Sequence, residues 1–191
     1  MTTRIAVIPA RGGSTRLKNK NIFSLDGKPL IRWITEAVIR SESFDKIVIS
    51  TDDDKIFNAV SDLDVVRHIR PANHATTKAT ALNAMLNLMQ DEEKHVVSIT
   101  EMPEPIQKAC LVKNDWVIPV FDNLTAGLTN SKFIQKYHTP TGAFYISWWD
   151  KLLKNKNFFK GQVKGVIIPK HRSVDIDDIV DIKTAEAILE R

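Results

Sequence analysis

The chain has 191 residues, 43% of them hydrophobic and 26% charged, a balance that suits one globular domain with a single core. Its net charge of +4 admits an anionic substrate without demanding nucleic acid. No apolar run reaches transmembrane length, the N-terminus lacks signal-peptide organisation, and the single cysteine, Cys110, has no internal disulfide partner, so a cytoplasmic protein away from membranes is expected.

The first predicted element is a buried strand, Ile5 to Ile8, broken by Pro9 and Gly12-Gly13. A loop follows that carries Arg11, Ser14, Arg16, Lys18 and Lys20 within ten residues. In open α/β sheets ligands bind where strands end in such loops, and clustered cations there suit a polyanion such as a nucleotide triphosphate. The spacing matches neither the P-loop nor the dinucleotide fingerprint, and the glycines are too few to cradle phosphate by backbone alone, so side-chain cations must do more of the work. A solvated basic loop after an edge strand has the same composition.

Asp26-Gly27-Lys28-Pro29 then turns the chain into a helix with Leu30, Ile31, Ile34, Ala37 and Val38 on one face. Ile47 to Ile49 reads as a second strand. Any residue of Ser50-Thr51-Asp52-Asp53-Asp54 suits the cap of a helix near Lys55 to Ser61. Val65-Val66 reads as a third strand, Thr80 to Gln90 as a helix, and His95 to Thr100 as a fourth strand. This alternation predicts a mostly parallel sheet with helices on both faces. Beyond Glu101 the rhythm stops. Ala109 to Val120 reads as short strands, and Phe121 to Tyr137 shows no period. Gly142 to Ser147 is a strand, followed by a helix through Leu153, a last strand at Val163 to Ile168, and a terminal helix from Thr184 to Arg191.

Two further groups carry chemistry. Asp175 and Asp177 stand two apart after the last strand and point the same way in extended chain. Two such carboxylates suit Mg²⁺, which a triphosphate requires; a helix-capping acidic turn reads the same way. Phe158-Phe159 sit among lysines, where aromatic residues belong to the core more often than to a site. The five histidines show no metal-ligand spacing, so zinc is not expected.

Together these residues resemble the acylneuraminate cytidylyltransferases, the CMP-sialic acid synthetases. Ile8-Pro9-Ala10-Arg11-Gly12-Gly13-Ser14 with Lys20-Asn21, Gly27-Lys28-Pro29-Leu30, Phe44-Asp45-Lys46-Ile47, Ser50-Thr51-Asp52-Asp53 and Arg70-Pro71 are similar to that family's motifs. So are Gly142-Ala143-Phe144-Tyr145, Phe158-Phe159, Ser173-Val174-Asp175-Ile176-Asp177 and Ala185-Glu186. The resemblance implies a single three-layer α/β/α Rossmann-like nucleotidyltransferase domain spanning the chain. It implies transfer of CMP from CTP to the anomeric hydroxyl of a sialic-acid-like 2-ulosonic acid. Ala10, Arg11, Gly12, Ser14, Arg16, Lys20 and Asn21 would hold the nucleotide's phosphates, with Arg70, Ala79 and Thr80 near the cytidine. Lys108, Tyr145, Phe158 and Phe159 would line the sugar pocket. Asp175 and Asp177 would bind Mg²⁺, and these two with Arg11 and Lys20 would be catalytic. A homodimer formed through an arm near 116–139 is also implied, with no nucleic-acid partner.

The chain departs from that pattern in four places. Thr15 stands where sialic acid synthetases usually carry Lys, and Ser14-Thr15-Arg16-Leu17 resembles the CMP-3-deoxy-octulosonate synthetases instead, with Arg16 as the replacement charge. Asn73-His74-Ala75-Thr76-Thr77 lacks the family's Asp after Arg70-Pro71. The family's strand ending in Pro-Thr-Ser-Pro-Leu-Arg has no counterpart, so one strand-helix unit is absent. Asn130-Ser131-Lys132 replaces an Arg-Gln pair that meets the sugar's acid. The alternatives that follow are an octulosonate-type synthetase, or a nucleotide-binding relic without turnover.

Overall fold

Residues 3–70 and 95–190 are described by the structure, a computed structural model. The expected helix from Thr80 to Gln90, and Ala79 and Thr80 with it, lie outside the described residues.

Strand β1 (Ile5–Pro9) pairs in parallel with β4 (Lys46–Thr51), Ile5 opposite Lys46 through Pro9 opposite Ser50. Strand β4 pairs in parallel with β5 (Val66–Ile69). Between β1 and β4 come a small ladder, β2 (Ser24–Leu25) with β3 (Lys28–Pro29), and helix α1 (Leu30–Arg40). Ala6, Ile8, Ala10, Ile31, Val38, Ile49, Ile56 and Val60 form one core cluster, in which each fully buried large aliphatic side chain contributes roughly 1.5–3 kcal/mol.

Helix α1 departs from the expected pattern. Its buried residues are Ile31, Thr35 and Val38, while Ala37 is exposed and Ile34 is 43% exposed. Thr35 is tolerated inside because its hydroxyl donates to the Ile31 carbonyl at 2.7 Å. Leu30 and Trp33 face a second cluster built on Leu17, Leu25 and Ile182. Arg32 ties the helix down by a two-pronged contact with Asp62 at 2.8 and 2.7 Å and a bond to Glu36 at 2.9 Å.

Helix α2 (Asp54–Asn58) is shorter than expected and is capped by Asp53, whose carboxylate accepts from the Lys55 amide at 2.8 Å. The other half of the fold centres on β6 (His95–Glu101), parallel to β10 (Val163–Ile167) and antiparallel to β9 (His138–Ile146). A register shift near Ser98 is held by its hydroxyl, which accepts from the Phe144 amide at 3.1 Å and lies 2.6 Å from the Thr141 hydroxyl. Among the described residues the strands form two three-stranded units, β1-β4-β5 and β10-β6-β9, and no ladder joins them. The result is the expected mixed α/β fold with mostly parallel pairing in its two main units.

Three shorter elements sit outside these units. Strands β7 (Cys110–Lys113) and β8 (Trp116–Pro119) are the short strands expected within Ala109 to Val120, and they pair as an antiparallel hairpin. Its turn residues Asn114 and Asp115 have φ of 49° and 65°, the pair of left-handed conformations that a two-residue hairpin turn requires. Helix α3 (Asp122–Thr125) follows, and α4 (Trp149–Asn155) comes after β9. The terminal helix α5 (Ile179–Leu189) starts five residues earlier than expected, because Asp178 caps it. No helix among the described residues is long and apolar enough to cross a membrane.

Candidate active site

The loop after β1 is shaped by contacts its sequence makes necessary. The Ala10 amide donates to the Ser50 carbonyl at 2.9 Å, and the Gly12 amide donates to the Asp52 carboxylate at 2.9 Å. A Cβ on Gly12 would lie 2.8 Å from the Cβ and carboxylate of Asp53, so the residue there must be glycine. Asp52 and Asp53 thus brace the loop from the end of β4. On the other side, the Asn21 side-chain amide donates to the Arg11 carbonyl at 2.8 Å. Leu17 is buried against Leu25 and Ile182 of α5, which anchors the basic segment to the far end of the chain.

Arg11, Ser14, Arg16, Lys20, Asn21 and Arg70 consequently line one open cleft, joined there by Asp177. Ala10 is buried and Gly12 is tied to Asp52, so these two shape the loop without lining the cleft. Arg70 follows β5, so the loops after β1, β4 and β5 contribute at one edge, the carboxyl edge of the parallel strands.

The acidic segment arrives from β10. The Ser173 hydroxyl lies 3.5 Å from that of Thr100, at the carboxyl end of β6. Ile176 packs into the Leu17 cluster, which leaves its neighbours Asp175 and Asp177 pointing outward. Arg16 Nη2 lies 2.7 Å from Asp177 Oδ2, and Lys20 Nζ lies 3.1 Å from Asp177 Oδ1 and 3.9 Å from Asp175 Oδ1. The helix cap belongs to a different residue. Asp178 accepts from the amides of Val180 and Asp181 at 2.7 and 3.1 Å, and Asp181 accepts from those of Asp177 and Asp178 at 2.8 and 3.0 Å. Those two backbone donors hold the Asp181 carboxyl below its usual range. The capping alternative for Asp175 and Asp177 therefore falls away.

Two carboxylates on a short extended segment suit a hard cation with high water content. Among the described residues no group of three or more His, Cys, Asp or Glu side chains is placed to cage a metal. That donor set fits Mg²⁺, which takes one or two carboxylates and completes its shell with phosphate and water.

The residues expected around a sugar are not brought together with this cleft in the single chain. Lys108 pairs with Glu104 at 3.7 Å and lines a separate hollow with Met102 and Ile106. Tyr145 stacks on Phe158 with ring centroids 5.1 Å apart, and Phe159 meets Tyr145 edge-on at 6.2 Å. Phe158 is buried and sits edge-on to His95, the first residue of β6, whereas the acidic segment passes Thr100. At about 3.3 Å per residue the two ends are roughly 17 Å apart along the strand.

Residues 5–106 match the family described as cytidylyltransferase. This chain belongs to the cytidylyltransferase family. It is 28% identical over 222 residues to the N-acylneuraminate cytidylyltransferase of Escherichia coli O18:K1:H7, a match covering 100% of this chain and 53% of that protein, so the chain spans about half that relative's length. It is 27% identical over 221 residues to the pseudaminic acid cytidylyltransferase of Campylobacter jejuni, covering 96% of this chain and 95% of the relative. The fold is similar to that of a CMP:2-keto-3-deoxy-manno-octonic acid synthetase complexed with CTP, with a TM-score of 0.63 at 14% identity, covering 98% and 99% of the two chains.

For a member of this family, the sequence reading missed the parts that hold the site rather than touch a ligand. Leu17, Asp52, Asp53 and Asp181 are those supports. The spacing Asp178-x-x-Asp181 before an apolar run is the one signal that would have moved the cap off Asp175 and Asp177.

Proposed function

We propose that the chain transfers CMP from CTP to the anomeric hydroxyl of a sialic-acid-like 2-ulosonic acid, releasing pyrophosphate. The observation that carries this reading is the meeting of Arg16 and Lys20 with Asp177 at 2.7 and 3.1 Å, which sets the basic loop and the acidic pair face to face across 157 residues of sequence. The family membership and the two named relatives support it.

In this reading Arg11, Ser14, Lys20 and Asn21 take the triphosphate, and Arg70 bounds the cleft toward the nucleoside. Lys20, held between Asp175 and Asp177, would stabilise the charge that develops on the phosphates. Asp175 and Asp177 would hold Mg²⁺, which supplies charge neutralisation at the phosphates. The anomeric oxygen attacks the α-phosphorus, the bond to the bridging oxygen of pyrophosphate breaks, and the hydroxyl proton passes to water. The chain's task is positioning and electrostatics, with no covalent intermediate.

The chain is further proposed to act as a homodimer. Hairpin β7-β8 leaves Leu111, Val112, Trp116 and Val117 exposed, and Phe133 beyond it is 85% exposed. Such a patch on a two-stranded element without its own core fits a self-complementary partner surface. A second reading, with an eight-carbon octulosonate as acceptor, draws on Ser14-Thr15-Arg16-Leu17. Pyrophosphate release from CTP and Mg²⁺ with a panel of eight- and nine-carbon ulosonic acids decides between them. CTP binding without release from any acceptor would point to the relic instead.

A further inference from the structure

The chain's net charge is concentrated away from the cleft. Residues 149–164 carry five lysines and one acid, Asp150. The rest of the chain holds 22 of its 27 cations and 22 of its 23 acidic residues, so the whole net charge of +4 sits in this stretch. It forms helix α4, the loop after it and the start of β10. Trp148, just before the helix, packs against Val96, Phe144 and Ile146, and the Asn155 side chain contacts His95 at 3.1 Å. Those two contacts turn the other side of α4 outward. Trp149 and Leu153, one helical turn apart, are 69% and 55% exposed there. Asn155 also donates to the Lys160 carbonyl at 3.4 Å, which folds the loop back beside the end of the helix. Lys154, Lys156, Lys160 and Lys164 are exposed and engage no acidic side chain among the described residues.

We propose that this face docks on an anionic lipid bilayer, with Trp149 and Leu153 entering the interface and the lysines meeting the headgroups. The contact is peripheral, and it replaces the expectation of a chain away from membranes. Charge alone suits any polyanion; the apolar pair makes the choice. An indole ring seats well at a membrane interface, with its body in the apolar layer and its N–H in water. Leu153 gains contact with hydrocarbon, whereas it gains nothing from a stacked base. All five cations of the stretch are lysines, whose stems lie along apolar surface while the ammonium stays in water. The forked guanidinium groups that suit nucleic-acid phosphates are missing from it. Two apolar side chains on so short a helix hold weakly, so the lysines must add to them, at roughly fivefold in affinity for each one near an anionic surface. The placement suits the role. Helix α4 adjoins His95 at the first residue of β6, whereas the acidic segment passes Thr100 near the other end. A bilayer against α4 and a substrate in the cleft therefore approach opposite ends of that strand.

The test is sedimentation of the full chain with two kinds of vesicle, one of phosphatidylcholine alone and one half phosphatidylglycerol. Wild type is expected to bind the second and not the first, and to be released as NaCl rises from about 50 to about 300 mM. Lys154→Glu combined with Lys160→Glu is expected to weaken binding by about tenfold or more. Trp149→Ser weakens it several-fold and leaves its salt dependence unchanged. All three positions are exposed, so the variants are expected to fold, and melting temperatures check this. A single-stranded oligothymidylate is titrated in the same buffer. No binding to the phosphatidylglycerol vesicles at the lower salt, equal binding to both vesicles, or binding that survives the double lysine variant overturns the proposal. Binding indifferent to Trp149→Ser also overturns it, because charge alone then accounts for the contact. Tighter binding of the oligothymidylate than of the vesicles, lost in the same variants, overturns it and assigns the surface to nucleic acid.

Discussion

Asp177 is paired with the same cations that the proposed function assigns to the nucleotide. Arg16 holds one of its oxygens and Lys20 the other. A divalent ion arriving alone must displace both, whereas a metal–CTP complex supplies phosphates for the cations and metal for the carboxylate in one exchange. Metal binding should therefore be weak without CTP and tight with it. Arg16→Ala is expected to strengthen metal binding in the absence of CTP, because it uncovers Asp177 Oδ2, and to weaken CTP binding; a titration with Mn²⁺ followed by electron paramagnetic resonance reads the first effect. Unchanged or weaker metal affinity in that variant counts against the exchange. Lys20→Ala and Arg11→Ala should each weaken CTP binding strongly by calorimetry, since charge-assisted phosphate contacts are worth roughly 1.5–3 kcal/mol. Arg16, at 72% side-chain exposure against 28% for Lys20, should cost less than Lys20.

At the scale of elements, the site depends on two short segments that are held from outside. Helix α5 carries a reciprocal cap, Asp178 with Asp181, whose bonds reach the amide of Asp177. Asp178→Ala is expected to lower stability by about 1 kcal/mol in denaturant unfolding, with Asp178→Asn nearly neutral. On the other side of the fold, His95 is fully buried at the start of β6. Its Nε2 contacts the Asn155 side chain at 3.1 Å, and its Nδ1 has no hydrogen-bond partner among the described residues. Burial lowers its pKa from the usual value near 6.5, so the folded chain keeps this ring neutral while the unfolded chain protonates it. Stability unaffected above that value should fall as pH drops below about 6.5, because the unfolded state takes up the extra proton. Melting curves across this range should be flatter for His95→Gln than for wild type, and parallel curves would remove His95 from the pH dependence.

For the whole molecule, much was legible in local pattern. The alternating strands and helices, the basic loop, the short strands at Ala109 to Val120 and the acidic pair all sit where their residues put them, because each is set by near neighbours: alternation for strands, and Pro and Gly for turns. What the sequence hid was long-range. Nothing in Leu17 announces contact with Ile182, and nothing in Gly12 announces that Asp53 closes on it from the next strand. Ile34 reads as core because the helical period cannot tell a buried position from a half-exposed one. The aromatic group around Tyr145 stands apart from the acidic pair within one chain, which gives the homodimer proposal a functional edge. Light scattering at micromolar concentration is expected to report twice the chain mass, with Trp116→Lys shifting the population toward monomer; a monomeric wild type counts against the dimer.

The loop after β1 and the acidic segment after β10 are proposed to form one catalytic site, with Asp177 in it and its neighbour Asp178 outside it. Pyrophosphate release measured side by side on wild type, Asp177→Asn and Asp178→Asn, with CTP, Mg²⁺ and an accepted ulosonic acid, tests this most directly. The expected result is loss of release in Asp177→Asn, with CTP binding and melting temperature retained, and near-wild-type release in Asp178→Asn. Equal activity in all three proteins, or loss in Asp178→Asn alone, would contradict it.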